Sequence, residues 1–207
     1  ALSQARNNID AWTRELEGAG LDAILVTVSG CGTTIKDYGF MLRNEPVYAA
    51  KAARISARAR DITEYLATLD IREVAAPLPL TIAYHAACSL QHGQKVLREP
   101  KELLSKVGFV VKDVPEGHLC CGSAGTYNIL QPALAEQLRA RKIANIERLT
   151  PDVIAAGNIG CITQLAGGTA VPVVHTVELL DWATGGPTPE ALAALVRSQA
   201  SAGRTGA

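Results

Sequence analysis

The fold of this chain is best predicted from one stretch, His118-Leu119-Cys120-Cys121-Gly122-Ser123-Ala124-Gly125, in which two cysteines are adjacent. On an extended strand, neighbouring side chains point to opposite faces, so the two sulfur atoms would diverge. A tight turn brings them to the same side, and Gly122 and Gly125 are residues that permit such a turn. Two thiolates this close suit a group with more than one metal atom, in which each sulfur binds a different iron. The stretch therefore predicts a loop to which the rest of the chain brings further cysteines.

Strand-like and helix-like segments alternate along the chain. The predicted strands are 21–28, 81–85, 109–114, 151–158 and 171–175. The predicted helices include 1–17, 46–69, 94–107 and 133–149, which carry apolar residues at helical spacing. This alternation is typical of a parallel sheet with crossover helices, so we predict the fold class α/β.

Each cysteine lies a few residues beyond the end of a predicted strand. The five are Cys31, Cys88, Cys120, Cys121 and Cys161. In open α/β sheets the carboxyl edge of the strands is where ligands bind, so we expect the cysteines to gather there. An odd number of cysteines without a secretory signal argues against a disulfide framework and predicts a reduced, cytoplasmic setting.

Length and charge exclude other classes of protein. The chain has 207 residues, which is long enough for a substantial core. Its 20 basic and 20 acidic residues balance, so nothing in the composition favours nucleic-acid binding. No apolar run approaches the roughly 18 residues that a membrane-spanning helix needs.

The segments before Cys31 and Cys161 resemble each other and predict an internal repeat. Aligning the two cysteines pairs Asp22 with Asp152, Ile24 with Ile154, Gly30 with Gly160 and Thr33 with Thr163. We predict that 1–70 is the C-terminal part of a first cysteine-rich repeat, 80–186 a complete second repeat, and 187–207 a terminal helix and tail. Because the first copy lacks its front, we expect the natural polypeptide to extend beyond Ala1.

The complete repeat carries a set of cysteines suited to an iron–sulfur cluster. Cys88 is separated by 31 residues from the Cys120-Cys121 pair, and 39 further residues lead to Cys161. Four thiolates on three loops can ligate a [4Fe–4S] cluster, since they are soft, anionic donors. Two alternatives stay open: the cysteines are small core residues, or they hold a structural zinc ion. A vicinal pair strains a tetrahedral zinc site, which usually uses cysteines two residues apart.

Two of the histidines lie close to these cysteines in the sequence. His85 and His118 are both candidates to donate to a cluster sulfur or to act as ligands, and we add His118 to the predicted metal ligands. The alternative for each is an ordinary loop histidine that hydrogen-bonds locally. No loop offers a clear base and orienting group for cysteine–histidine catalysis, so no catalytic residue is predicted.

Three stretches carry a resemblance to a known family: 84–94, 118–127 and 158–163. They resemble the cysteine-rich "CCG" domain of heterodisulfide reductases, anaerobic glycerol-3-phosphate dehydrogenase and lactate-utilisation proteins. The stretch 90–181 is most similar to the iron–sulfur subunits of glycolate oxidase, also called glycolate dehydrogenase. The resemblance covers nearly the whole chain.

The resemblance implies an oxidoreductase subunit that transfers electrons. In this family, partner subunits hold the flavin (FAD) that oxidises glycolate to glyoxylate, and the cysteine-rich subunit passes electrons toward a membrane quinone pool. It implies a cytoplasmic protein with peripheral contact at the inner face of the cell membrane. The family also carries two ferredoxin-type clusters near its N-terminus, and their C-x-x-C-x-x-C runs are not in this sequence.

One departure from the family pattern concerns the type of cluster. The fuller family motif ends in C-x-x-C, and here its last position is Gln164. The resemblance therefore favours a four-ligand cubane over a five-cysteine, non-cubane cluster. Cys31 matches the closing cysteine of the first repeat, and is added as a ligand of an incomplete first site.

A second hypothesis assigns the repeats a different role. As zinc-bound or metal-free modules, they would dock the flavin subunits of a related oxidoreductase that acts on lactate or glycerol 3-phosphate.

Overall fold

The computed structural model describes residues 1–69, 71 and 78–202 and contains two parallel β-sheets whose strands are joined through helices. The strands are β1 Ile24–Val26, β2 Ala59–Asp61, β3 Thr81–His85, β4 Val110–Asp113, β5 Val153–Ala156 and β6 Val173–His175. The α-helices are α1 Leu2–Glu17, α2 Ser29–Lys36, α3 Tyr38–Met41, α4 Ala49–Ser56, α5 Ile62–Leu66, α6 Glu99–Lys106, α7 Tyr127–Leu130, α8 Pro132–Glu147, α9 Ile159–Ala166, α10 Thr176–Ala183 and α11 Ala193–Ala202. A π-helix spans Ser89–Gln94 and a 3-10 helix spans Glu190–Leu192. The predicted α/β class is confirmed.

The larger sheet has four strands in the order β4-β3-β5-β6, all of them parallel. Side chains alternate across it, since successive residues of a strand face opposite sides. Ile82 and Tyr84 belong to the core cluster that includes residues of α6 and α10. Ala83 belongs to the opposite cluster, which includes residues of α8 and α9 together with two cysteines. The sheet is therefore buried on both faces, as parallel sheets usually are.

The smaller sheet pairs β1 with β2 in parallel, and its core includes residues of α1 and α4. Its elements follow the same order as those at the end of the larger sheet: β1 leads into α2 and β2 into α5, as β5 leads into α9 and β6 into α10. The second helix of each set begins with a capping box, at Asp61 with Glu64 and at His175 with Glu178. This shared order supports the predicted repeat.

The predicted single helix over 46–69 is wrong. The segment forms α4, then strand β2, then α5. Asp61 ends the strand in an extended conformation, and its side chain accepts a hydrogen bond from the Thr63 backbone N–H at 2.9 Å. An N-cap of this kind starts a new helix. The Ala- and Arg-rich composition of 46–69 did not reveal that a strand interrupts the helical pattern.

The predicted helix over 94–107 is also only partly right. Its first residue, Gln94, is the last residue of the π-helix, after which Lys95 has a left-handed backbone (φ +63°), and α6 begins only at Glu99. The predicted helix over 133–149 corresponds to α8.

The predicted division into 1–70, 80–186 and 187–207 stays a prediction. Most of the proposed linker, residues 70 and 72–77, lies outside the described residues, as does the end of the tail, 203–207. Within the described part of the chain, none of the helices combines the length and apolar character needed to span a membrane.

Candidate metal centre

All five cysteines line one cavity of about 300 Å³. It lies where the strands of the larger sheet end. Cys88 follows β3 by three residues, and Cys161 lies in the first turn of α9, just after β5. The paired Cys120 and Cys121 come from the loop between β4 and α7. The parallel arrangement places these strand ends at one edge, and this is why residues distant in sequence meet there.

The loop that carries the pair turns sharply at Gly122, whose φ is +95°. The backbone N–H of Gly122 donates a hydrogen bond to the Sγ atom of Cys120 at 3.3 Å. A Cβ atom at Gly122 would collide with the carbonyl oxygen of Ala135, a buried residue of α8. Ala124 and Gly125 continue the turn with positive φ values of 37° and 66°. The loop thus takes its shape from close packing of its backbone on α8.

Cys161 is oriented by the start of its own helix. Asn158 has an extended backbone, and its side chain accepts a hydrogen bond from the Gly160 backbone N–H at 2.9 Å, which caps α9. The Nδ2 atom of Asn158 also donates to the Ser29 hydroxyl at 2.8 Å. Ser29 begins α2, so this contact joins the first unit of the chain to the cysteine cavity.

A connected series of sulfur atoms is formed by Cys88, Cys120, Cys121 and Cys161. Hydrogen bonds from Cys121 and from Cys88 lower the pKa of Cys120 to about 2. A hydrogen bond from Cys121 lowers the pKa of Cys161 to about 5, and nearby His85 acts in the same direction. The pKa values of the two donors are raised, because each holds its proton against a neighbouring thiolate. These hydrogen bonds favour the thiolate form of Cys120 and Cys161 and the thiol form of Cys88 and Cys121.

Cys31 lies on the open side of the same cavity and is exposed. Its helix, α2, packs against the π-helix that follows Cys88. The Ser29 and Ser89 hydroxyls are 2.7 Å apart, and Gln94 Nε2 donates to the Ser29 carbonyl oxygen at 2.8 Å. From the sequence, Cys31 was assigned to an incomplete first site. In the structure it lies beside the four cysteines of the second.

The two candidate histidines differ in their surroundings. His118 is exposed and lies outside the set of described residues that line the cavity. A ligand role for His118 stays a prediction. His85 is only 2% exposed, and a ring nitrogen lies with the Sγ atoms of Cys121 and Cys161 in a group whose atoms are all within 4.8 Å of one another. Alternation along β3 puts His85 on the Ala83 face, and this signal was available in the sequence.

A buried lysine lies close to the cysteines. Lys142, on α8, is 1% exposed, and its Nζ atom donates a hydrogen bond to the Glu116 carbonyl oxygen at 2.9 Å. Burial lowers the pKa of Lys142, while the thiolates of Cys121 and Cys120 oppose that shift. The ammonium group thus places positive charge beside an anionic site, a feature that sequence reasoning missed.

Glu116 ties the cysteine loop to α8. Its carboxylate accepts hydrogen bonds from Arg141 and, at 2.8 Å, from Asn145 Nδ2. These partners, Arg141 first and Asn145 second, lower the pKa of Glu116 to about 2. Together with the hydrogen bond from Lys142 to its carbonyl oxygen, Glu116 thus contacts three residues of α8. Glu116 lies four residues before Cys120, so these contacts hold the cysteine loop against α8.

This ion pair predicts a pH dependence of stability. A carboxylate whose pKa is lower in the folded state stabilises the fold above its unfolded pKa, near 4.5, and loses that contribution as the pH falls toward about 2. As the pH falls between these two values, we expect the free energy of unfolding of the metal-free wild type to decrease more than that of the metal-free Glu116→Gln variant. Urea unfolding at pH 6 and pH 3 measures this, and equal losses would contradict the role of Glu116.

A known protein family matches the part of the chain that carries four of the five cysteines. Residues 82–166 match the family described as "CCG: Cysteine-rich domain". This range begins in β3, ends at the last residue of α9 and contains Cys88, Cys120, Cys121 and Cys161.

Curated proteins extend the similarity over more of the chain. The glycolate oxidase iron-sulfur subunit of Escherichia coli is 45% identical over 182 residues, 88% of this chain and 44% of that protein. A probable glycolate oxidase iron-sulfur subunit of Bacillus subtilis is 28% identical over 89% of this chain and 43% of its own length. Lactate utilization protein A of Bacillus licheniformis is 30% identical over 76% of this chain and 69% of its own length. The chain therefore spans less than half the length of the two glycolate oxidase subunits.

Proposed function

This chain belongs to the family of proteins that carry the cysteine-rich (CCG) domain, and from that premise we propose that it is the cysteine-rich part of an iron–sulfur electron-transfer subunit of a glycolate oxidase. Cys88, Cys120, Cys121 and Cys161 hold a [4Fe–4S] cluster. The similarity to two proteins named as glycolate oxidase iron-sulfur subunits supports the reaction.

One observation carries the assignment of the site: four thiols from three separate segments meet at a single cavity. The donors suit iron, because thiolates are the usual ligands of iron–sulfur clusters. Hydrogen bonds from the neighbouring cysteines lower the pKa values of Cys120 and Cys161 and so favour the anionic form that binds metal. Binding of a cluster would require all four sulfurs as thiolates, since metal binding requires deprotonated ligands.

The surrounding residues fit an anionic group. The Gly122 N–H is directed at the Cys120 sulfur, and the Lys142 ammonium supplies nearby positive charge. Both stabilise added negative charge at the site, and such contacts tune the reduction potential of a cluster. A bound cluster supplies one-electron transfer, and the chain's own residues position it and exclude water from its buried side.

Anaerobic purification tests the assignment directly. We expect a brown protein with about four iron atoms at this site, and an electron paramagnetic resonance signal on reduction that depends on Cys121. If a longer natural chain holds further clusters, the difference in iron content between the wild type and Cys121→Ser isolates this one. A colourless protein that holds one zinc ion at this site would overturn the proposal.

Partner subunits complete the proposed reaction. FAD in those subunits would supply the oxidation of glycolate to glyoxylate, and Cys88, Cys120, Cys121 and Cys161 would hold a cluster that supplies electron transfer toward a membrane quinone pool. The chain works on the cytoplasmic side, in peripheral contact with the inner face of the membrane. In the purified complex, glycolate should reduce the Cys121-dependent signal faster than lactate or glycerol 3-phosphate does. Faster reduction by lactate or glycerol 3-phosphate would identify that compound as the substrate in place of glycolate and would leave the electron-transfer role unchanged.

One observation favours a second candidate, a zinc-bound docking module. The ligand atoms of His85, Cys121 and Cys161 lie within 4.8 Å of one another, and three such atoms plus a fourth donor make a closed tetrahedral zinc site. The double variant Cys120→Ser/Cys121→Ser separates the two functions. An electron-transfer subunit should still assemble with its partners but lose electron transfer. A docking module would fail to assemble, while the complexes that do form transfer electrons normally.

A further inference from the structure

His85 is a buried residue whose ring lacks a hydrogen-bond partner of standard geometry in the described part of the chain. It ends β3, is 2% exposed, and neither ring nitrogen has a hydrogen-bond partner of standard geometry among the described residues. Leaving a buried polar group unpaired destabilises the folded state, because the group loses its hydrogen bonds to water. Native proteins rarely retain such a group unless it has a function or a partner absent from the protein itself.

The ring lies on the side of the sheet where the cysteines are. Ala83, two residues earlier on β3, packs in the same core cluster as Cys121 and Cys161. One ring nitrogen, the Cys121 sulfur and the Cys161 sulfur are all within 4.8 Å of one another. The unpaired nitrogen therefore lies next to two of the sulfurs to which the cluster is assigned above.

The number of thiolate ligands determines whether the His85 ring binds iron or donates a hydrogen bond. Each iron of a [4Fe–4S] cubane takes one protein ligand, and four cysteines already supply four. No iron is then left for His85, and the ring N–H can donate to a neighbouring ligand sulfur. A neutral imidazole carries one N–H, so this donation needs no change in protonation.

We propose that His85 donates a ring N–H hydrogen bond to the Cys161 thiolate of the loaded site, and thereby raises the reduction potential of the cluster. The inference rests on the proposed function. A hydrogen bond to a ligand sulfur offsets the negative charge that the cluster gains on reduction. His85 is thus a positioning residue, which acts on the cluster through Cys161.

Two variants of the intact, anaerobically purified protein test this role. His85→Leu removes the donor and keeps an apolar side chain, while His85→Gln keeps an N–H donor. We expect His85→Leu to retain the iron content of the wild type and to shift the midpoint potential of the Cys121-dependent signal to a more negative value. His85→Gln should recover part of the shift. An unchanged potential in His85→Leu at full iron content would overturn the inference and leave the cluster assignment intact.

A spectroscopic measurement on the wild type covers the case in which His85→Leu does not fold. With ¹⁵N-labelled histidine, a nitrogen that donates through a hydrogen bond gives a weak hyperfine coupling to the reduced cluster. A strong coupling would mean that His85 binds iron directly, and would overturn the inference. If the protein instead holds zinc and no Cys121-dependent signal exists, the proposed function itself fails.

Discussion

Replacing Cys121 with serine is expected to remove the cluster from this site, from about four iron atoms to nearly none. Cys121 is 1% exposed and its thiol interacts with both Cys120 and Cys161, so it is central to the sulfur series. A serine hydroxyl is a hard, weakly acidic donor that replaces thiolate poorly at iron. Iron analysis and the visible absorption of the purified protein measure the loss. Circular dichroism should show an unchanged fold, because the substitution is nearly isosteric.

Cys31→Ser is the matched control for this loss. Cys31 lines the same cavity but is exposed and lies on α2, in the first unit of the chain. With four ligands from the second repeat, we expect Cys31→Ser to keep its iron. Loss of iron from this variant would show that the first unit contributes a ligand, and would contradict the set of four.

Gly122→Ala is expected to damage both the fold and the site. An L-residue at positive φ costs about 1–2 kcal/mol, and the new methyl group would meet the Ala135 carbonyl oxygen. Overpacking of this kind costs a further 1–3 kcal/mol or so. We therefore expect the free energy of unfolding to fall by about 2–5 kcal/mol, with loss of iron, because the loop must lift away from α8. Urea unfolding and iron analysis measure the two effects.

Gly125→Ala is the control that distinguishes the effect of the steric clash at Gly122 from the effect of backbone strain. Gly125 also has a positive φ, +66°, but a Cβ there meets nothing within 4 Å. We expect this variant to lose only about 1–2 kcal/mol and to keep its iron. Equal losses in the two variants would mean that packing of the loop on α8 does not shape the site.

The sequence predicted the fold class because its signals are local. Apolar runs and amphipathic stretches alternate, and that alternation is sufficient for a parallel α/β sheet. The same local signals failed over 46–69, where a three-residue strand is too short to interrupt a helical pattern. Strand β2 exists because it pairs with β1, through Ile24 with Ala59 and Val26 with Asp61. Pairing partners 35 residues apart leave no trace in a window of helical periodicity.

The candidate site also combines a feature that the sequence predicted with one that only the structure revealed. Placing cysteines after strand ends predicted that Cys88, Cys120, Cys121 and Cys161 would meet, and the structure brings them to one cavity. The different surroundings of His85 and His118 could not be obtained from their distance to cysteines along the chain. Burial distinguishes them, because a ring at the end of a central strand has no access to water, whereas His118 is exposed.

The sequence by itself determined the donor chemistry and the loop. The identity and spacing of the cysteines, with glycine at the turn, are properties of the chain alone, and they favour soft-metal chemistry at this site. Only the tertiary structure decided which groups surround the sulfurs. Cys31 reaches the cavity through contacts such as Asn158 to Ser29, which join residues 129 positions apart. His85 and Lys142 approach the sulfurs because a sheet and a helix pack around one core, and no local pattern encodes that packing.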